Sequence, residues 1–176
     1  MTLKLVKTQT LAATQATITF SSIPQGETDL LIVVSARVNN FTQSTLGVRF
    51  NGSTTGYSIR YAYGNGTGVT AGADSNISSL NAYYVIPGSG ATANTFSNVS
   101  LYIPNYTLAA NKSVTVDGVG ENAATAAYQI QGAGYWASTA AISSVDLFDN
   151  GGNSFVAGTT VTLFTVTKGS GGATAA

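Results

Sequence analysis

The chain has 176 residues, and its seven basic and seven acidic side chains cancel; charged residues make up 8% of it, against about 25% in an average soluble domain. Histidine and cysteine are absent, which excludes the usual general base, thiolate chemistry and a disulfide framework. The sparse charge provides no basic stripe for nucleic acid. The longest aliphatic run, 30–34, is too short to span a membrane, and no secretory signal is visible. We therefore expect neither nucleic acid nor a membrane as a partner.

Ser, Thr, Asn and Gly take the place of charge, while hydrophobic residues still make up 44% of the chain. That is enough for a core, because disordered chains combine low hydrophobicity with high charge. We expect three segments. The stretch 1–15 is an N-terminal strand or arm, either an edge strand or one exchanged with a partner; 16–167 is one β-sandwich domain; and 168–176 is a flexible Gly/Ser/Ala tail.

Apolar and polar side chains alternate with a period of two along much of the chain, which is typical of half-buried strands. A further run, 30–34, is apolar on both faces and predicts a central strand covered on both sides. The prolines and the Asn-Gly and Asp-Gly pairs fall between these runs, where strands end and turn. The alternating runs are 16–20, 46–50, 57–63, 98–103, 114–117 and 160–163.

No segment shows a sustained helical period with caps, and the strand signals recur at roughly regular spacing. We therefore predict an all-β fold: a jelly-roll-like antiparallel β-sandwich of about ten strands with little helix.

The carboxylates do not form a catalytic pattern. Glu27 and Asp29 are close in sequence, but they fall in a turn before the central strand, where they are expected to terminate the strand and keep the loop soluble. The oxygen-rich stretch 146–153 lacks the spacing of a calcium loop and is interpreted as an Asx-rich hairpin turn. We predict a protein that is not an enzyme and that needs no metal or other cofactor.

Aromatic side chains are the remaining candidates for a site, because they can stack on sugar rings or anchor a protein interface. Tyr57, Tyr61 and Tyr63 share one face of a predicted strand, and Tyr102 and Arg49 lie opposite the core faces of theirs. A sandwich core is the alternative interpretation of the tyrosines on the shared face, and ordinary surface residues are the alternative, slightly favoured, for Tyr102 and Arg49. The candidate interface or glycan-stacking residues are Tyr57, Tyr61, Tyr63, Tyr102, Trp136 and Arg49, with Tyr83, Tyr84 and Tyr135 as further aromatic candidates.

Several strand and turn runs, spread over most of 17–166, resemble a family of small tailed-bacteriophage virion proteins. The end of the chain departs from the family's pattern, because 163–166 reads LFTV instead of an LYGI-like strand. The runs are TITFSSIPQG (17–26), TDLLIVVSAR (28–37), RFNG (49–52), ATANTFS (91–97), YIPNYT (102–107), NKS (111–113) and FVAGT (155–159).

This resemblance implies a structural subunit located in the virion, as a capsid decoration (cement), head-fibre or tail-associated protein, with no catalytic residues. Capsid decoration is the expectation that we favour. The resemblance also implies a homo-oligomer, in particular a homotrimer, that contacts other virion proteins such as the major capsid protein. The alternative is a glycan-binding fibre or adhesin module of the phage tail.

Overall fold

The computed structural model describes residues 2–121 and 126–167, and every regular element in this part of the chain is a β-strand. The strands are β1 (Thr2–Thr10), β2 (Thr17–Phe20), β3 (Asp29–Ser35), β4 (Ser44–Phe50), β5 (Tyr57–Gly64), β6 (Val69–Ile77), β7 (Leu80–Ile86), β8 (Asn98–Ile103), β9 (Lys112–Glu121), β10 (Ala127–Trp136), β11 (Val145–Asp149) and β12 (Thr160–Thr167).

Two antiparallel sheets of unequal size form a sandwich. The larger sheet has eight strands in the order β1-β12-β3-β8-β9-β10-β5-β6, and the smaller sheet has four in the order β2-β11-β4-β7. The edge strand β7 of the smaller sheet packs over β9, β10 and β5. The predicted all-β sandwich is therefore confirmed.

The strand pairing is nested along the chain. β1 pairs with β12, β2 with β11, β3 with β8 and β4 with β7, all antiparallel. The hairpins β5–β6 and β9–β10 extend the larger sheet beyond β8. A long antiparallel ribbon rolled into two sheets has this order, so the pairing supports the jelly-roll winding, which stays a prediction.

The described residues hold twelve strands instead of about ten. One that the sequence did not reveal is β6, whose residues VTAGADSNI lack apolar alternation because most of them are exposed. Another is β11: residues 146–149 were assigned to a turn, but they continue a strand whose alternate side chains enter the core. The turn itself follows at 150–153.

The core lies between the sheets and is filled by the inward side chains that alternation predicted, among them Ile18, Leu46, Leu101, Val116 and Leu163. The prediction for 30–34 is half right. β3 is an interior strand, third in its sheet, but Leu31 and Val33 on its outer face are only half-buried. The apolar side chains there belong to a partly exposed surface and not to a second buried layer.

The N-terminal segment forms the edge strand β1, which pairs with β12 through a bulge between Leu5 and Lys7. Of the two alternatives predicted for this segment, an edge strand or an arm exchanged with a partner, the single chain shows the edge strand. The predicted flexible tail, 168–176, lies outside the described residues. The described residues contain no helix that could cross a membrane.

Candidate functional site

Two of the six aromatic and basic candidates belong to the core. Tyr57 and Trp136 are 1% and 3% exposed. Their rings stack on each other with centroids 5.9 Å apart, and Phe50 packs 5.5 Å from the tryptophan. Neither ring can reach a glycan or a partner, so their assignment as contact residues is wrong. The alternation that suggested a shared face was read correctly, but the smaller sheet covers that part of the face.

Further along β5 the same inward face meets the edge strand β7 of the smaller sheet, and here four tyrosine rings come together. Tyr61 lies 4.3 Å from Tyr83 and 6.3 Å from Tyr63, and Tyr84 lies 5.1 Å from Tyr63, as ring centroids. We call Tyr61, Tyr63, Tyr83 and Tyr84 the tyrosine cluster. Two of its members come from β5 and two from β7. The fold therefore brings two of the candidate contact residues, Tyr61 and Tyr63, together with two of the further aromatic candidates, Tyr83 and Tyr84.

A glycine on the edge strand makes room for this cluster. A Cβ atom on Gly72 of β6 would lie 2.4 Å from Cζ of Tyr61, well inside van der Waals contact. The Tyr61 ring therefore lies across the β6 backbone at the position where another residue would place its side chain. Gly72 is the residue of β6 that pairs directly with Tyr61. The missing side chain therefore lies at the position where the Tyr61 ring needs space.

Hydrogen bonds hold the inner part of the cluster. The Tyr83 hydroxyl donates to Oδ2 of Asp74 at 2.6 Å, and it accepts from Nδ2 of Asn81 at 3.1 Å. Burial, followed by the bond to the Asp74 carboxylate, raises the pKa of Tyr83 to about 12. Burial, followed by the same carboxylate, also raises the pKa of Tyr61. Both phenols therefore stay protonated at neutral pH and act as neutral groups.

The outer part of the cluster is open to solvent. Tyr84 is 44% exposed and has a φ of 56°, an unusual conformation for a bulky residue. It sits in a bulge where 83–85 lie between the pairs Leu46–Ala82 and Ser44–Ile86. Tyr63, Asn65, Tyr84 and Tyr128 line a pocket of about 150 Å³ at this point. Sequence spacing could not find this set, because it comes from three strands and a loop.

A second surface lies at the other end of the larger sheet, on its outer face. Leu5 pairs with Phe164, Phe164 with Leu31, and Leu31 with Tyr102, so these four side chains form one row across β1, β12, β3 and β8. Leu3 extends the row along β1. Leu3 and Leu5 are 54% and 58% exposed, and the other three are half-buried. We call these five residues the apolar stripe.

Tyr102 owes its position in the stripe to a buried carboxylate. Its hydroxyl donates to Oδ2 of Asp29, and the backbone N–H of Asn105 donates to Oδ1 of Asp29 at 2.9 Å. The bond to Asp29 and then burial raise the pKa of Tyr102 to about 12. Asp29 is fully buried, so its prediction as a solvated loop residue is wrong. The carboxylate fixes the start of β3 and presents one face of the Tyr102 ring.

Arg49 lies apart from both surfaces, on the outer face of the smaller sheet. Its guanidinium carbon lies 4.3 Å from the centroid of the Phe148 ring, and its Nε donates to the carbonyl of Ser78 at 3.0 Å. A cation over an aromatic face, combined with a backbone hydrogen bond, accounts for a structural role on this face. The six predicted residues thus fall in four places: the core, the tyrosine cluster, the apolar stripe and the smaller sheet.

The acidic stretch around Asp149 is used within the fold. Oδ2 of Asp149 accepts bonds from the backbone N–H of Asn153 at 2.9 Å and from its Nδ2 at 2.6 Å, and Oδ1 accepts from the Ser44 hydroxyl. These bonds make it the Asx turn that the sequence indicated for the residues that follow β11. Among the described residues no group of three or more acidic side chains is placed to hold a metal ion.

Comparison of the chain with protein-family models, with curated proteins and with solved structures finds no match in any of the three.

Proposed function

We propose that the protein is a non-enzymatic structural subunit of a bacteriophage virion, and that it acts as a capsid decoration protein. The phage assignment rests on the resemblance of its strand and turn runs, and a role in an assembly is supported by one structural observation. That observation is the apolar stripe on the outer face of the larger sheet.

The stripe has the features of a surface that is covered in an assembly. Single exposed apolar residues are normal, but contiguous exposed apolar patches mark interaction sites. Leu3 and Leu5 are more than half exposed on an edge strand, in direct line with Phe164 and Leu31. The edge strand β1 also offers backbone groups for pairing with another chain.

Contacts made through this surface are mainly neutral. With 8% charged residues in the chain, a large interface depends on apolar burial, neutral hydrogen bonds and strand pairing, and salt screens these weakly. We propose a homotrimer that binds the major capsid protein. The trimer number comes from the resemblance and from the three-fold positions of an icosahedral shell.

Sedimentation of the purified chain tests the oligomer and the stripe together. We expect an oligomer at micromolar concentration that persists when sodium chloride is raised. Leu3→Gln combined with Leu5→Gln should shift it toward monomer. Val69→Gln is the matched control, because Val69 is 79% exposed on β6 at the opposite edge of the same sheet. A wild-type monomer, or dissociation by salt, would refute the neutral interface.

The virion assignment needs a separate measurement. Mass spectrometry of separated heads and tails, from particles assembled in the presence of the chain, should find it in the head fraction. Recovery with tails alone would overturn capsid decoration, and absence from both fractions would overturn the virion assignment.

A glycan-binding module is the second candidate function, and the tyrosine cluster is the observation that favours it. Exposed aromatic rings beside neutral hydrogen-bonding groups suit sugar rings, which have apolar C–H faces and polar rims. The two functions are compatible, because the cluster and the apolar stripe lie toward opposite edges of the larger sheet.

A further inference from the structure

The pocket beside Tyr84 combines three features that point to a ligand. It is lined by three aromatic side chains and one amide, its most exposed ring sits on a left-handed residue, and that residue lies in a bulge of an edge strand. Bulges re-aim side chains and are frequent next to functional sites. Each feature comes from a different property of the chain: side-chain packing, backbone dihedral and strand register.

The conformation of Tyr84 costs free energy that the core does not require. A bulky residue with positive φ is strained by about 1–3 kcal/mol, and such residues cluster at binding sites. The Tyr84 backbone N–H donates to the Thr45 hydroxyl at 3.3 Å, which holds the bulge against β4. The ring is not used to fill the core, since it is 44% exposed. The strain therefore serves to present the ring beside Tyr63.

The lining determines the ligand class. Tyr63 and Tyr84 offer aromatic faces at an angle of 54° to each other, and Tyr128 adds a third ring. Oδ1 of Asn65 already accepts bonds from Thr67 and Gly68, which leaves its Nδ2 to donate. Among the described residues, no acidic, lysine or arginine side chain lines the pocket. The ligand is therefore neutral, with apolar faces and hydroxyl acceptors.

We propose that this pocket is a carbohydrate-binding subsite for one pyranose ring of a neutral glycan. The ring stacks on Tyr84 and Tyr63, and a hydroxyl accepts a hydrogen bond from Nδ2 of Asn65. The size agrees with this, because about 150 Å³ is well below the roughly 300 Å³ at which pockets for drug-sized ligands begin. Tyr84 in its lining is 44% exposed, so the rest of the glycan continues into solvent there.

This inference rests on the glycan-binding candidate function and not on the virion assignment, and its test probes a different surface from the apolar stripe. The purified chain is applied to an array of neutral glycans, and the best binder is then titrated as a soluble oligosaccharide. Saturation-transfer NMR should show the strongest transfer to the protons of one sugar face. Tyr84→Ala should weaken binding at least about tenfold, because it removes a stacked aromatic surface. Tyr84→Phe should keep it, since the face and not the hydroxyl is used.

Two controls separate the site from general surface effects. Tyr135→Ala removes another exposed ring, 39% exposed on β10 outside the pocket, and should leave binding unchanged. Tyr84→Gly removes the same ring at a position whose positive φ favours glycine, so it should weaken binding by the same factor, and it replaces Tyr84→Ala if that variant is unstable. Sedimentation of each variant shows whether oligomer formation, which the stripe governs, is intact.

The results that overturn the proposal are specific. No binding to any neutral glycan, equal binding by Tyr84→Ala and wild type, or equal loss in Tyr135→Ala each refute the subsite. A proline-rich peptide is the other chemistry that aromatic grooves accept. Binding of such a peptide at this pocket without any glycan would also overturn it.

Discussion

Replacing Tyr57 with phenylalanine separates the packing of its ring from the work of its hydroxyl. The ring stacks on Trp136, and phenylalanine keeps that contact. The hydroxyl accepts the backbone N–H of Phe50 at 2.8 Å. The pairing of β4 with β7 ends at Val48, two residues before Phe50. The Tyr57 hydroxyl therefore accepts a backbone N–H for which β7 provides no partner. Tyr57→Phe should therefore lower the free energy of unfolding by about 1–3 kcal/mol at neutral pH.

The same hydroxyl makes the loss depend on pH. Burial raises the pKa of Tyr57 from 10.0 to about 12. A raised folded-state pKa stabilises the fold fully below the unfolded pKa, and this stability is lost as pH rises through 10 to 12. Near pH 11, between these two values, the wild type should have lost about 1 kcal/mol of this stability. Tyr57→Phe has no such group, so its deficit should shrink by that amount.

Urea unfolding at fixed protein concentration measures both effects, followed by the fluorescence of the single tryptophan and by circular dichroism. Other titrating groups, including Tyr83, Tyr102 and Lys112, are present in both proteins and cancel in the difference. Tyr135→Phe, an exposed tyrosine, is the control for removing a hydroxyl. A deficit for Tyr57→Phe that stays constant between neutral pH and about pH 11 would refute the reasoning.

Three further outcomes follow from buried polar groups and from the tyrosine cluster. Arg37 is nearly buried, and its guanidinium donates to the carbonyls of Ser89, Ala91, Thr92 and Thr95. Arg37→Ala should therefore lower the free energy of unfolding, measured by chemical denaturation, by at least about 3 kcal/mol. A loss below about 1 kcal/mol would contradict this. Burial lowers the pKa of Lys112, so wild type should gain stability relative to Lys112→Met as pH rises toward 10.5; a difference that is flat with pH would count against it. Gly72→Ala should displace the Tyr61 ring and change the near-ultraviolet circular dichroism, whereas an unchanged spectrum would show that the ring does not depend on this glycine.

Local sequence patterns were enough to predict the all-β fold class. Alternation in 46–50, 98–103 and 160–163 predicted strands whose inward residues do fill the core, because one buried face imposes a period of two on any strand. The Asx turn after β11 followed from side-chain chemistry within a few residues. These features are local, so a linear pattern is enough to identify them.

Which strands pair and which aromatic rings stay accessible became visible only in the folded chain. β1 pairs with β12 and β2 with β11 across most of the chain, and no local pattern encodes such distant pairs. Tyr57 and Tyr63 have the same sequence signal, yet Tyr57 is buried under the smaller sheet, whereas Tyr63 lies at the edge strand of that sheet, beside the exposed Tyr84. The unequal sizes of the two sheets make that difference. The number of strands in each sheet depends on pairings between residues far apart in sequence. For this reason the sequence alone could not identify the candidate site.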